Sequence, residues 1–273
     1  MTTAEQAATL PAEPDGIKWR HVMVRVGQIG LGLVFLWLWK WGANSAGESY
    51  IADPFKVWDR LIEIARTGEL ARHTYVTLRI SAIGFAIGCA AGVVLPFALR
   101  RMPRLTDAIE PYIMASVGVP KYALIPLFIL WFGINDAPKL WLIGLLVFYP
   151  VFISVFAGIR SVDGRLLDIA RVLGASESRI SVEVIWHAML PFFFSGLKIS
   201  VPRAVSAAII AEFLVGFEGI GFYIENARQQ MDVTGAFVGI AVAIALVLVM
   251  NALLVWIDKR LSAWRPMDRH MEL

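Results

Sequence analysis

Four ionisable side chains stand where the sequence is otherwise apolar: Lys121, Lys198, Arg203 and Glu212. A charge at bilayer depth costs roughly 2.5–3.5 kcal/mol on insertion scales, so such a group faces a cavity or a partner. The chemistry these types offer is electrostatic. Lys121, Arg203 and Glu212 are candidates to line a pathway, with Arg203 attracting an anion. Each also has a plainer reading. Lys198 lies near the end of its apolar run and can reach out of the hydrocarbon. Lys121 follows Pro120 and can serve carbonyls freed by a broken helix. Glu212 is nine positions from Arg203, too far for an i, i+4 pair, and can bond to a neighbouring helix instead. Catalytic and metal sites are not expected. There is no cluster of nucleophile and base, no H-E-x-x-H among the four histidines, and a single cysteine, Cys89. A G-x-x-x-x-G-K-[ST] loop is also missing, so the chain carries no P-loop and no cofactor of its own is expected.

A second group of residues is suited to docking. Asp168 to Ser176 is a polar stretch between two apolar runs. Asp163 can cap a helix reaching Leu173, with Leu166, Ala170 and Leu173 on one face. Gly174 then falls at the position that takes a left-handed backbone. Ser176 can cap a second helix, with Glu177 in its first turn, and Ile180, Val184 and His187 or Ala188 form its apolar face. Two short helices at a sharp turn make a knob, and the small Ala170 and Gly174 let another protein approach closely. His187 belongs to the knob surface, because no second metal ligand stands at a matching spacing. The second helix is expected to run unbroken to about Leu190 and to stop at Pro191.

The elements that hold these residues follow from composition. The chain has 273 residues, 58% of them hydrophobic and 17% charged, with a mean hydropathy of +0.66. That balance describes a polytopic membrane protein in a lipid bilayer, with no sign of a nucleic-acid partner. Six spans of the required ~20 residues are predicted. They run from about Val24 to Lys40, Thr74 to Leu99, Ala108 to Phe132, Pro138 to Gly158, Phe192 to Val215 and Thr234 to Ile257. Trp37, Trp39 and Trp41 form an interfacial belt on the first, and Pro111, Pro120 and Pro126 interrupt the third. Between the first two spans, Asp53 and Pro54 open an amphipathic surface helix to about Leu70, with Trp58, Leu61, Ile62 and Ala65 as its apolar stripe. Gly84, Gly88 and Gly92 permit close helix packing, inside the subunit or across a dimer.

Charge sets the orientation. Lys18, Arg20 and Arg25, then Arg100, Arg101 and Arg104, then Arg160, Arg165, Arg171 and Arg179, then Lys259, Arg260, Arg265 and Arg269 all fall on one side. The positive-inside rule puts that side, both termini and the knob in the cytoplasm. Residues 1–22 read as a cytoplasmic tail without the features of a signal peptide. Residues 23–261 form the membrane domain, 161–190 its knob loop, and 262–273 a second cytoplasmic tail.

The knob resembles a known pattern. Binding-protein-dependent ABC importer permeases carry E-A-A-x-x-x-G, nine residues, then I-x-L-P. Here Asp168-Ile169-Ala170 and Gly174 match the first part. Val184-Ile185-Trp186-His187 stands at the second, with Leu190-Pro191 a turn later. Pro126 to Gly133, Ser195 to Lys198, Ala211 to Leu214 and Gly219 to Ile224 are similar to the nitrate, sulfonate and taurine branch. The resemblance implies an all-α type I importer fold with six transmembrane helices, a periplasmic amphipathic helix and a cytoplasmic coupling loop. It implies that Asp168, Ala170, Gly174, Ala175, Ser176 and His187 meet a cytoplasmic ATPase dimer, which binds the ATP. It further implies a periplasmic binding protein, a bacterial inner-membrane location, and a second permease subunit, an identical copy. The expected cargo is a small anionic solute such as a sulfonate, taurine, nitrate or a similar organic acid. An ion-coupled secondary transporter is the alternative, but it would need membrane carboxylates beyond Glu212 and would leave the knob without a purpose.

Overall fold

A computed structural model describes residues 16–47 and 49–261; the rest of both predicted tails, 1–15 and 262–273, lies outside the described residues. The chain is helical, without a strand among the described residues. The order is α1 (Gly16–Ala46), α2 (Pro54–Thr67), α3 (Glu69–Arg100), α4 (Pro103–Ser116), α5 (Ile125–Phe132), α6 (Ala137–Arg160), α7 (Gly164–Val172), the single turn α8 (Glu177–Arg179), α9 (Trp186–Val215), α10 (Ile220–Gln229) and α11 (Val233–Leu261). Five helical segments are long and apolar enough to cross a membrane, or six if α4 and α5, bent by 93° at their junction, count as one span.

The core is built on α6, which packs between α3 and α9. Leu142, Ile143, Val147, Val151 and Val155 are fully enclosed along it. The α3 contact depends on the glycine seam. A β-carbon on Gly84 would lie 2.6 Å from Ile143, one on Gly88 2.3 Å from the Gly144 carbonyl, and one on Gly92 2.8 Å from Val151. The seam therefore serves packing inside the subunit, where missing side chains let two backbones close together.

α1 begins at Gly16, eight residues before the predicted start, and its most apolar window buries nothing inside the subunit, Ala43 near its end being buried. It is held at one end. The Trp39 indole donates to the Ala52 carbonyl at 3.0 Å, its ring stacks on Phe237, and Lys40 pairs with Asp53. Asp53 also caps α2, accepting from the Phe55 amide at 2.9 Å.

The predicted stripe on α2 is off by about one position. Val57, Leu61 and Ile64 face inward, packing against the cluster that holds Tyr223 and Val238, while Trp58 and Ala65 are exposed. Val57, Leu61 and Ile64 follow the same i, i+4, i+7 spacing, and tertiary packing selects that face over the one carrying Trp58.

The expected stop at Pro191 is also corrected. After α8 the chain makes a π-helical turn over Ile180–Ile185, and α9 then continues from Trp186 through Pro191 and Pro202 to Val215. Proline removes one backbone bond but does not end a helix whose neighbours hold it. Here α6 supports the site: a β-carbon on Gly158 would lie 2.9 Å from both Met189 and Phe192. The irregularity sits upstream, in the wide turn. That turn moves the inward face to Ile180, Ser181, Ile185 and Met189, leaving His187 and Ala188 exposed.

Candidate functional site

The knob forms as its caps predict. Asp163 accepts from the Arg165 amide at 2.9 Å, and the Ser176 hydroxyl accepts from the Arg179 amide at 3.3 Å. Gly174 takes φ +84° with open space around it. A left-handed backbone disfavours a side chain there even though there is room for one. The turn closes when the Ala175 amide reaches the Ala170 carbonyl at 3.0 Å. A chain of charges stiffens the surface: Arg171 bonds Asp168 at 2.9 Å and Glu177 at 2.8 Å. These carboxylates hold the Arg171 guanidinium above its ordinary pKa, with the Glu177 hydrogen bond the largest cause. Ala170 and Ala175 are half-buried, whereas Asp168, Gly174, Ser176 and His187 are exposed. The imidazole Nδ1 of His187 lies 3.1 Å from the Glu183 carbonyl. α7 buries no residue, and Leu166, Ile169, Val172 and Leu173 are all uncovered, Val172 at 86% exposure. Apolar side chains concentrated on a rigid, charge-laced loop mark a contact surface.

Lys121, Arg203 and Glu212 are held in three different ways. Lys121 is buried at the break between α4 and α5. Its ammonium donates to the carbonyls of Val117 (2.6 Å), Val119 (3.1 Å) and Ser116 (3.3 Å). It also lies 4.4 Å from the centre of the Tyr149 ring, and the Tyr149 hydroxyl donates to Ser116 Oγ at 2.8 Å. The free carbonyls at the end of α4 are thus capped by a cation. Arg203 points from α9, exposed, with no ion pair or side-chain hydrogen bond among the described residues. Its charge acts on Lys121 and Tyr122. Lys198 pairs with Asp258 of α11 at 2.7 Å.

Glu212 is fully enclosed near the far end of α9. Its Oε2 accepts from Thr77 Oγ1 at 2.8 Å and from the Gly221 amide at 3.0 Å. Oε1 has no partner among the described residues. The Thr77 hydroxyl in turn accepts from the Ile220 amide at 2.9 Å, and His73 Nδ1 accepts from the Gly219 amide at 3.0 Å. Gly219 sits at φ +106°, and a β-carbon there would lie 2.2 Å from the Glu212 carboxyl carbon. α3, α9 and the start of α10 therefore close around one carboxyl group. Sequence reasoning picked out Glu212 but missed Thr77 and His73, which look like ordinary helix residues until α3 and α10 are brought together. The run Gly216, Gly219 and Gly221 was the available signal that something close-packed there.

Over residues 83–263 the chain matches the family described as the binding-protein-dependent transport system inner membrane component. The chain belongs to that family. This ABC importer permease is a multi-pass, non-enzymatic membrane component of a system whose ATPase is a separate subunit. It is 29% identical over 271 residues to a putative aliphatic sulfonates transport permease protein of Bacillus subtilis, covering 97% of this chain and 98% of that protein. It is 26% identical to the taurine transport system permease protein of Escherichia coli, covering 91% and 94%. It is 28% identical to the formylaminopyrimidine transport permease protein of Halalkalibacterium halodurans, covering 86% and 93%. The permease also shares its fold with the crystal structure of an amino acid ABC transporter, at a TM-score of 0.60 and 17% identity, covering 73% of this chain and 97% of that one.

Proposed function

We propose that this permease carries a small anionic solute, of the sulfonate, taurine, nitrate or organic-acid kind, inward across the bacterial inner membrane by alternating access. The knob and both termini face the cytoplasm, where the basic residues are concentrated. A cytoplasmic ATPase dimer, which binds the ATP, docks on the knob at Asp168, Ala170, Gly174, Ala175, Ser176 and His187. A periplasmic binding protein delivers the solute, and a second identical subunit completes the pathway.

The observation that carries this reading is the exposed apolar face of α7, with Leu166, Ile169, Val172 and Leu173 uncovered on a rigid turn. A surface of that kind in water calls for a protein partner. Arg203 is the pathway cation in this proposal, because it is exposed and lacks a carboxylate partner among the described residues. The enclosed Lys121 and Glu212 shape that pathway by holding helix ends, and neither contacts the solute in this conformation.

Co-expression with the cognate ATPase tests the docking. The wild-type permease should co-purify with it, and Gly174→Trp should lose it. Retention of binding and transport by Gly174→Trp would defeat the assignment. Calorimetry on the cognate binding protein with taurine, an alkanesulfonate and nitrate tests the solute class, and binding only of solutes that carry no anionic group would overturn the anion reading.

A further inference from the structure

Beyond the covalent link from α6 through residues 161–163, the knob is joined to the bundle by two further routes of different stiffness. One is covalent, through the π-helical turn Ile180–Ile185 into α9. Such a turn interrupts the regular i→i+4 ladder and is a place where helices yield. The other route is ionic. Arg100, at the end of α3, donates to Ser181 Oγ at 2.8 Å and to Glu177 at 2.9 Å. Glu177 is the same carboxylate that Arg171 of α7 holds. The Arg100 side chain is only 12% exposed but that of Glu177 is 50% exposed, so the ion pair contributes modestly and the hydrogen bond to Ser181 adds to it. Arg100 therefore grips both short knob helices through one carboxylate, and the buried turn through a hydroxyl.

The other end of α3 is gripped as well. His73 and Thr77 accept the Gly219 and Ile220 amides, and Thr77 donates to Glu212. From Thr77 to Arg100 the helix is continuous and spans about 35 Å at 1.5 Å per residue.

We propose that Arg100 is the positioning residue through which displacement of the knob is transmitted along α3 to the loop Gly216–Ile220 on the opposite membrane face. The proposal rests on the knob being the ATPase-docking element. Arg100 itself lies outside the docking residues, so its loss should leave docking intact while the far loop stops responding. Coupling of this kind is carried by an element bonded to both sites that moves between two arrangements.

The test uses the full permease with its ATPase in nanodiscs, on a Cys89→Ser background, with a nitroxide at Phe217→Cys in the far loop. Phe217 is 71% exposed. ATP with vanadate should change the spectrum of the otherwise wild-type complex. Arg100→Gln should still co-purify with the ATPase and hydrolyse ATP within about twofold of wild type, while the ATP-dependent spectral change falls about fivefold or more. Arg100→Lys, which keeps a cation able to pair with Glu177, should retain most of the response. A normal spectral change in Arg100→Gln overturns the proposal and leaves the docking reading standing. Loss of the ATPase from Arg100→Gln also overturns it, by making the bridge a docking contact. If the wild-type knob binds no ATPase, both readings fall.

Discussion

Glu212 offers the most direct measure of what holds the far face together. Replacing it with alanine leaves the Gly221 amide and the Thr77 hydroxyl without their acceptor, in a place with no solvent access. Each stranded group costs roughly 1–3 kcal/mol. The side-chain volume lost from an enclosed site adds a cavity term, so Glu212→Ala should destabilise by about 3–6 kcal/mol. Glu212→Gln keeps the shape and one carbonyl acceptor. Because Oε1 has no partner among the described residues, the new amide gives up no bond there but strands its own N–H donors, and the cost should be about 1–3 kcal/mol, below that of alanine. Thr77→Val removes a donor to Glu212 and the acceptor of Ile220, at a cost of about 2–4 kcal/mol, whereas Thr77→Ser keeps both roles. Thr77→Val and Glu212→Ala share one bond, so the double variant should cost less than the sum of the singles. The assay is equilibrium denaturation in mild detergent, followed by tryptophan fluorescence. A Glu212→Ala protein within about 1 kcal/mol of wild type would show that enclosure of this carboxyl carries no energetic weight, and the reasoning would be wrong.

At Gly174, valine should lose ATPase co-purification while asparagine, which tolerates a left-handed backbone, retains most of it; equal binding by both would refute the turn argument. Gly88→Leu forces atoms into the Gly144 backbone and should cost about 1–3 kcal/mol or prevent folding, read as the yield of monodisperse protein. Arg203→Gln should lower uptake of an anionic solute about tenfold while ATPase docking stays normal; unchanged uptake would remove Arg203 from the pathway. Lys40, as a hydrogen-bond partner, holds the Asp53 carboxyl below its ordinary value of 3.8. The folded-state pKa is the lower one, so the stability it adds is present above the ordinary value and lost as pH falls through the depressed one. Hydrogen-exchange protection in α2, taken relative to the intrinsic rate at each pH, should therefore fall at acid pH in wild type. Asp53→Asn, which can still cap α2, should lose that dependence.

The sequence was most legible where local rules decide. The Asp53–Pro54 start of α2, the caps at Asp163 and Ser176, and the left-handed Gly174 all depend on a few neighbouring residues, and each stands where it was expected. The long spans were legible from apolar length. What was not legible needed a third dimension. The inward face of α2 depends on which side α3 and α11 cover. Passage through Pro191 depends on Gly158 of α6, far away in the chain. The roles of Lys121 and Glu212 hinge on whether carbonyls, hydroxyls and amides from other segments converge on them, and spacing along one helix carries no such information.

The central place of α6 also has a consequence in time. The glycine seam of α3 is made early in the chain, but its partner surface on α6 comes several dozen residues later, and the Gly219 and Ile220 amides that bond His73 and Thr77 come later still. At roughly 5–20 residues per second, α3 waits several seconds for α6 and on the order of ten seconds for its last bond. Until α6 arrives, its small-residue face lacks the partner it packs on. The order in which the ribosome delivers the helices therefore makes α3 the segment most open to pairing with a wrong neighbour. Variants that slow synthesis between α3 and α6 should harm assembly more than equal delays before α3.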